Sequence, residues 1–188
     1  PSWRKEQLAP GREFRVAIIG AGMSGLLAAH RLQQAGVPCV VLEKNDEVGG
    51  TWYENSYPGC RVDVANSFFS YSFAQRSDWP NHYSTQPALL AYFRECAERF
   101  DLRKLVRFGT EVLQAAWQEE SASWRIRVRT PSGAEEVIEA NALISAVGQL
   151  NRPKLPEIPG RERFAERREG IDQRHVENAG DRVCSGAD

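Results

Sequence analysis

Arg15-Val16-Ala17-Ile18-Ile19-Gly20-Ala21-Gly22-Met23-Ser24-Gly25 opens the stretch from Phe14 to Glu43 on which the fold turns. Its first five residues are rich in β-branched side chains and almost continuously apolar, which predicts a central parallel strand buried on both faces. Gly20 permits a sharp turn, Gly22 lets backbone come close to a ligand, and Gly25 lets a following helix lie against the strand. The spacing predicts that helix over Gly25–Ala35, with Leu26, Leu27, Ala29 and Leu32 facing the core and Gly36 ending it. Cys39-Val40-Val41-Leu42 then predicts a second strand, closing on Glu43, which lies 18 residues beyond Gly25. Strand, glycines, helix, strand and terminal carboxylate in this order predict a dinucleotide-binding βαβ unit with phosphates at the helix N-terminus, where Ser24 adds a hydroxyl donor. Glu43 suits the two hydroxyls of an adenosine ribose and disfavours a 2′-phosphate, which favours FAD or NAD over NADP. As an exposed strand-end carboxylate, it is expected to matter for the nucleotide and little for the apo fold.

Composition narrows the class. With 188 residues, 41% hydrophobic, 26% charged and a net charge of −1, the chain has the composition of a globular domain, without the basic excess that nucleic acid or an anionic membrane would require. No apolar run approaches the ~18–20 residues of a membrane helix. The start, Pro1-Ser2-Trp3-Arg4-Lys5, has no initiator Met and no signal-peptide core, so a piece of a longer cytoplasmic protein is expected, not a secreted precursor. Cys39, Cys60, Cys96 and Cys184 form no CxxC pair and are expected as reduced thiols, with no metal site.

Residues 1–13 read as a polar lead-in whose Trp3 and Leu8 are candidates to pack on the domain surface. After Glu43, Lys44 to Val48 is a polar loop, and Gly49-Gly50-Thr51-Trp52 follows it, a glycine pair that admits close approach and an indole that suits the flat edge of a ring system or the core. Pro58-Gly59 fits the centre of a type II turn, just beyond which stand Arg61 and Asp63; spacing alone favours a surface ion pair between them. Asn66–Tyr83 reads as an ordered aromatic loop in which Phe68, Phe69, Tyr71 and Phe73 pack, and His30 and His82 are read as structural. A helix is predicted from Gln86 to about Phe100, capped by Ser84 or Thr85, with Leu89, Leu90, Phe93, Ala97 and Phe100 inward. Val106–Phe108, Glu111–Leu113, Trp124–Arg129 and Glu136–Ile138 read as a small β-meander, with Arg125, Arg127 and Arg129 on a solvated face and a phosphate site the lesser reading. Ala142 to Gly148 resumes the first sheet.

Gly20 to Gly25, Glu43, Gly49-Gly50-Thr51-Trp52-Tyr53 and Tyr57-Pro58-Gly59-Cys60-Arg61-Val62-Asp63 together resemble the FAD-binding part of Baeyer–Villiger monooxygenases. Ser70-Tyr71-Ser72-Phe73-Ala74-Gln75, Asp78-Trp79-Pro80 and Ser84-Thr85-Gln86-Pro87 resemble the hydroxyacetophenone monooxygenase branch. The resemblance runs from about Trp3 to Ala165. It implies a Rossmann-like α/β FAD domain with a small β-meander insert, as in two-dinucleotide-domain flavoproteins, over residues 14–150. It further implies that Gly20, Gly22, Ser24, Gly25, Glu43, Lys44, Gly50, Thr51, Trp52 and Asp63 meet FAD, that backbone near Val112 meets the adenine, and that Asp63, the candidate catalytic residue, also lies near the nicotinamide of NADPH.

Residues 151–160 read as a proline-stiffened linker. Beyond Ala165 the resemblance calls for a Gly, a His and a Trp at fixed spacing and then a second GxGxxG, but Glu166 stands at the glycine position and neither motif follows. Residues 161–188 are therefore expected to be a truncated or frameshifted, disordered end. By resemblance the whole enzyme uses NADPH, O2 and FAD to insert oxygen beside a ketone carbonyl. The Arg it needs for this lies beyond the matching part, and Arg61 is a poor substitute if it pairs with Asp63, so this chain alone is expected to hold FAD without turnover. A fragment of an N- or S-oxidising flavin monooxygenase and a non-catalytic nucleotide-binding module are the alternatives.

Overall fold

A computed structural model describes residues 2–150 and Pro159; the linker and tail expectations fall outside this range, as does Cys184. The predicted βαβ unit is present. Strand β1 (Val16–Ile19) leads through the glycine turn into helix α2 (Met23–Gln34) and strand β2 (Cys39–Leu42), preceded by a short helix α1 (Lys5–Leu8). Helix α2 begins two residues earlier than expected, with Gly22 as its N-cap, and ends in a Schellman arrangement: Gly36, at φ +68°, donates to Gln33 and Val37 donates to the Leu32 carbonyl.

Strands β1 and β2 pair in parallel, Val16 opposite Cys39 and Ile19 opposite Leu42. On the other side of β1 lies β7 (Ala142–Ser145), also parallel, and on the outer side of β2 lies β3 (Val106–Arg107), giving the order β3-β2-β1-β7. The assignment of Val106–Phe108 to the meander is thus corrected: two residues of it form an edge strand of the parallel sheet. A two-residue strand carries too little alternation to reveal which sheet it joins.

The meander itself is β4 (Glu111–Gln118), β5 (Ser123–Arg129) and β6 (Glu135–Ala140), antiparallel in chain order. Alternation along β1 divides the core in two. Val16 and Ile18 face α2 and helix α4 (Gln86–Arg99), joining Leu26, Ala29, Val41, Leu89 and Phe93. Ala17 faces the other way with Val40 and Leu42, against Ile126, Val128, Ile138 and Ala140 of the meander. Helices cover one face and the meander the other, as a strand apolar at every position requires. The arginines of β5 lie on the meander's outer face, where Arg129 pairs with Glu111 at 2.9 Å and Arg127 with Glu135 at 3.3 Å; this is the solvated face expected.

Three packing expectations are corrected. Leu27 is 38% exposed, because it lies about 100° round the helix from Leu26, outside the stripe that Leu26, Ala29 and His30 bury. Trp3 and Leu8 are both exposed; the lead-in is tied instead by the Lys5 amide, which donates to the Ala35 carbonyl at 2.8 Å. Phe68 is 83% exposed, whereas Phe69, Tyr71 and Phe73 pack as expected.

Candidate functional site

The glycine turn is set by contacts that only glycine allows. A Cβ on Gly25 would stand 1.9 Å from the Gly20 carbonyl oxygen, so α2 starts directly on the end of β1. Gly20, at φ +99°, passes against Ala146 just beyond β7, where a Cβ would meet the Ala146 carbonyl oxygen at 2.7 Å. The first helical hydrogen bond is Leu26 N–H to Gly22 C=O at 3.0 Å, so the amides of Met23, Ser24 and Gly25 precede the helical ladder. Donors before the ladder and the positive end of a 12-residue helix make an anion cradle.

A second glycine loop closes over the first. Gly49 donates to the Ala21 carbonyl at 3.0 Å, and a Cβ on Gly50 would reach the Gly22 Cα at 3.0 Å. Gly49 and Gly50 have φ of +125° and +53°, which side-chain-bearing residues rarely adopt. The fit to a dinucleotide is thus one of backbone: Gly22 and Gly50 face each other without side chains at the helix N-terminus, so a diphosphate there would meet the free amides that open α2. Thr51, exposed, and Trp52, half-buried with its ring edge-on to Phe69 at 5.6 Å, open helix α3 (Thr51–Glu54) immediately after.

Glu43 is placed as expected at the strand end, but it is not exposed. It retains 4% exposure; its Oε2 accepts the Ala21 amide at 2.6 Å and its Oε1 the Asn45 amide at 2.9 Å. The carboxylate therefore ties the first glycine turn to the loop that follows β2, which sequence spacing did not reveal. Each oxygen keeps a further lone pair, so ribose hydroxyls are compatible with these bonds. Thr110, two residues before Val112, donates its amide to the Glu43 carbonyl at 2.8 Å, and Val112 packs against the core cluster that holds Leu42. Lys44 is exposed and paired with Glu54 at 2.9 Å.

The Pro58-Gly59 turn forms, with Gly59 at φ +82° and Cys60 N–H donating to Tyr57 C=O at 3.1 Å, as a type II turn requires. Beyond it, residues 60–62 run against residues 84–86: Val62 N–H reaches Ser84 C=O at 3.0 Å and Gln86 N–H reaches Cys60 C=O at 2.9 Å. This short ladder holds Asp63, exposed, just past its end. Among the described residues no Arg61–Asp63 ion pair forms; Arg61 is instead bridged through its backbone to Thr85. In a local extended segment, residues two apart project to the same side yet need not touch, and here backbone pairing fixes their direction.

Several supporting residues escaped the sequence reading. Gln86, buried, donates from Nε2 to the Trp52 carbonyl, and Asn66, buried, accepts the Ser84 amide at 3.0 Å. Tyr71 donates from its hydroxyl to the Met23 carbonyl at 2.7 Å, tying the aromatic loop to the first turn of α2. Glu47 accepts from Arg103 at 2.5 Å and from Arg94 at 3.0 Å. Burial alone would raise the Glu47 pKa, but the Val48 amide and the two guanidinium groups outweigh it and hold the carboxyl below its ordinary value. No local pattern marks these residues, since their partners lie 18 to 56 positions away.

A family profile described as an NAD(P)-binding Rossmann-like domain matches residues 18–95. A Baeyer-Villiger monooxygenase of Streptomyces coelicolor is 43% identical over 80% of this chain and 28% of its own length, and one of Pseudomonas aeruginosa is 37% identical over 83% of this chain and 29% of its own. Over about 80% of its length, then, the chain is similar to Baeyer–Villiger monooxygenases. Solved members share its fold: a steroid monooxygenase bound to NADP superimposes with a TM-score of 0.70 at 40% identity, over 79% of this chain and 29% of that one. Cyclohexanone monooxygenase does so with a TM-score of 0.70 at 36% identity, over 79% of this chain and 30% of that one. The OTEMO complex with FAD and NADP gives 0.71 at 34%, over 79% and 28%. The chain spans about a quarter of the length of the curated Baeyer–Villiger relatives, matching their N-terminal portion. These names do not favour the N- or S-oxidising or non-catalytic alternatives.

Proposed function

We propose that this chain is the FAD-holding portion of an NADPH- and O2-dependent Baeyer–Villiger monooxygenase acting on a small ketone in the cytoplasm. The observation that carries the reading is the meeting of two glycine-rich turns, Gly20–Gly25 and Gly49–Gly50, at the N-terminus of α2, where Gly22 and Gly50 face each other with no side chain between them. In this reading the amides before the helical ladder and the Ser24 hydroxyl take the pyrophosphate, Glu43 takes the ribose hydroxyls, and backbone near Val112 borders the adenine. Gly50, Thr51 and Trp52 border the flavin half, Lys44 stands at the nucleotide rim, and Asp63 is placed toward the flavin and the nicotinamide. FAD supplies the redox chemistry when bound; the chain's residues orient it and shield its diphosphate. The hydroxyacetophenone branch is proposed from Ser70–Gln75 and Ser84–Pro87, and residues 14–150 as the FAD domain. Absence of turnover from this chain alone is part of the proposal, as is absence of nucleic-acid and membrane partners. Among the described residues no helix is long and apolar enough to cross a membrane.

The test is titration of the purified chain with FAD, followed by flavin fluorescence, alongside NADPH oxidation in air with a cyclic ketone present. FAD binding without ketone-dependent NADPH consumption is expected. A folded chain that leaves flavin fluorescence unchanged would remove the reading.

A further inference from the structure

We propose that Glu47, gripped by Arg94 and Arg103, is a positioning residue that holds the Gly49–Gly50 loop ready for the dinucleotide, so that an ion cluster outside the cofactor site sets cofactor affinity. This rests on the FAD reading above. Two adjacent glycines at positive φ carry a large ordering cost, which something else in the loop must meet before a ligand binds.

Helix α4 meets that cost at two points. Leu90 lies so close to Gly49 that a Cβ there would come within 2.6 Å of its Cδ1. One turn later Arg94 donates to Glu47 Oε2 at 3.0 Å, while Arg103, in the turn before β3, reaches Oε1 at 2.5 Å. Arg103 is itself fixed by Glu98 at 3.2 Å and by lying over the Phe108 ring at 5.0 Å. The Glu47 side chain is 18% exposed, so this network is less screened than an open surface pair. Asp46 and Glu54 also hold the same loop, through Tyr53 and Asn45. With the cluster broken, the binding-competent loop becomes a fraction of the population and apparent affinity falls by that fraction.

The experiment compares the full chain with Glu47→Gln, Arg94→Gln, Arg103→Gln and the Glu47→Gln/Arg103→Gln pair, measuring FAD and AMP affinity by calorimetry and thermal unfolding of each apoprotein. AMP keeps the adenosine and one phosphate but lacks the second phosphate and the flavin, and serves as a probe of the Glu43 end and the start of α2. Expected are roughly 5- to 20-fold weaker FAD binding in Glu47→Gln, AMP binding within about twofold of the parent, and a pair no worse than Glu47→Gln alone. Arg94→Gln, on the outer side of α4, gives a smaller loss in the same direction and decides the matter should Glu47→Gln fail to fold. If the parent binds no FAD, the functional reading itself falls. If the parent binds FAD and the folded variants bind it equally well, or lose FAD and AMP alike, or lose only melting temperature, the positioning role is overturned.

Discussion

Glu43 has two tasks that the structure makes separable. Its oxygens accept two backbone amides, Ala21 and Asn45, before any ligand arrives. Glu43→Ala leaves the buried Ala21 amide unpaired, at roughly 1–3 kcal/mol, and removes ribose acceptors as well. Glu43→Gln keeps one acceptor oxygen and the shape. The expected outcome is that chemical denaturation shows Glu43→Ala destabilised by roughly 2 kcal/mol or more and Glu43→Gln by about half that, with FAD binding weakened roughly 10- to 100-fold in both. Equal apo stability of parent and Glu43→Ala would contradict the buried tie. The position of Glu43 was legible from spacing; its burial was not, because it depends on where the Gly20–Gly22 turn and the 44–48 loop come to lie in space. His30 offers a second test at this scale. It is buried, stacked on Phe73 at 4.0 Å, and its Nε2 has no hydrogen-bond partner among the described residues. Burial, aided by Arg31, lowers its pKa below 6.5. A depressed folded pKa means the unfolded chain takes up the proton first, so its contribution is complete above pH 6.5 and is lost as pH falls through the folded value. Urea unfolding at pH 7.5 and 5.5 is expected to show a smaller stability loss in His30→Leu than in the parent; equal losses would remove His30 from the pH response.

At the scale of elements, the glycine turn is the part whose sequence and structure agree most closely. Gly25→Ala sets a methyl group against the Gly20 carbonyl, a backbone atom that cannot swing aside, so α2 must shift away from β1. A cost of roughly 1–3 kcal/mol is expected in thermal unfolding, together with loss of FAD binding, whereas Gly11→Ala, strained by its φ of +69° but with open space around it in the lead-in, is expected to lower stability and leave FAD binding intact. Helix α4 was legible because Leu89, Leu90, Phe93 and Ala97 repeat at helical spacing and all are buried. Edge strand β3 was not, since two residues show no period and their pairing with β2 is decided only by the chain that follows. The Arg61–Asp63 pair failed for a related reason: the ladder between residues 60–62 and 84–86, remote in sequence, fixes both directions. Phe68 was read with its aromatic neighbours, yet it is turned outward, and Phe68→Ser is expected to change unfolding free energy by less than about 0.5 kcal/mol.

For the molecule as a whole, layers explain why so short a sheet is stable. A four-stranded parallel sheet is covered on one face by α2 and α4 and on the other by a meander inserted between β3 and β7, so Val16, Ala17 and Ile18 of β1 are all packed in apolar core. The same arrangement brings Thr110, at the entry to β4, against Glu43 and puts the adenine end of the proposed site between sheet and meander. Chemistry and fold were legible together because the βαβ unit states both, while the ties between loops were not, being contacts across the whole chain. The most direct measurement is calorimetric titration of the folded chain with FAD, AMP and NADP in parallel. The account predicts one FAD per chain, weaker binding of AMP, negligible binding of NADP, and loss of FAD affinity in Glu43→Gln; a folded chain that takes up NADP as tightly as FAD, or no FAD at all, would contradict it.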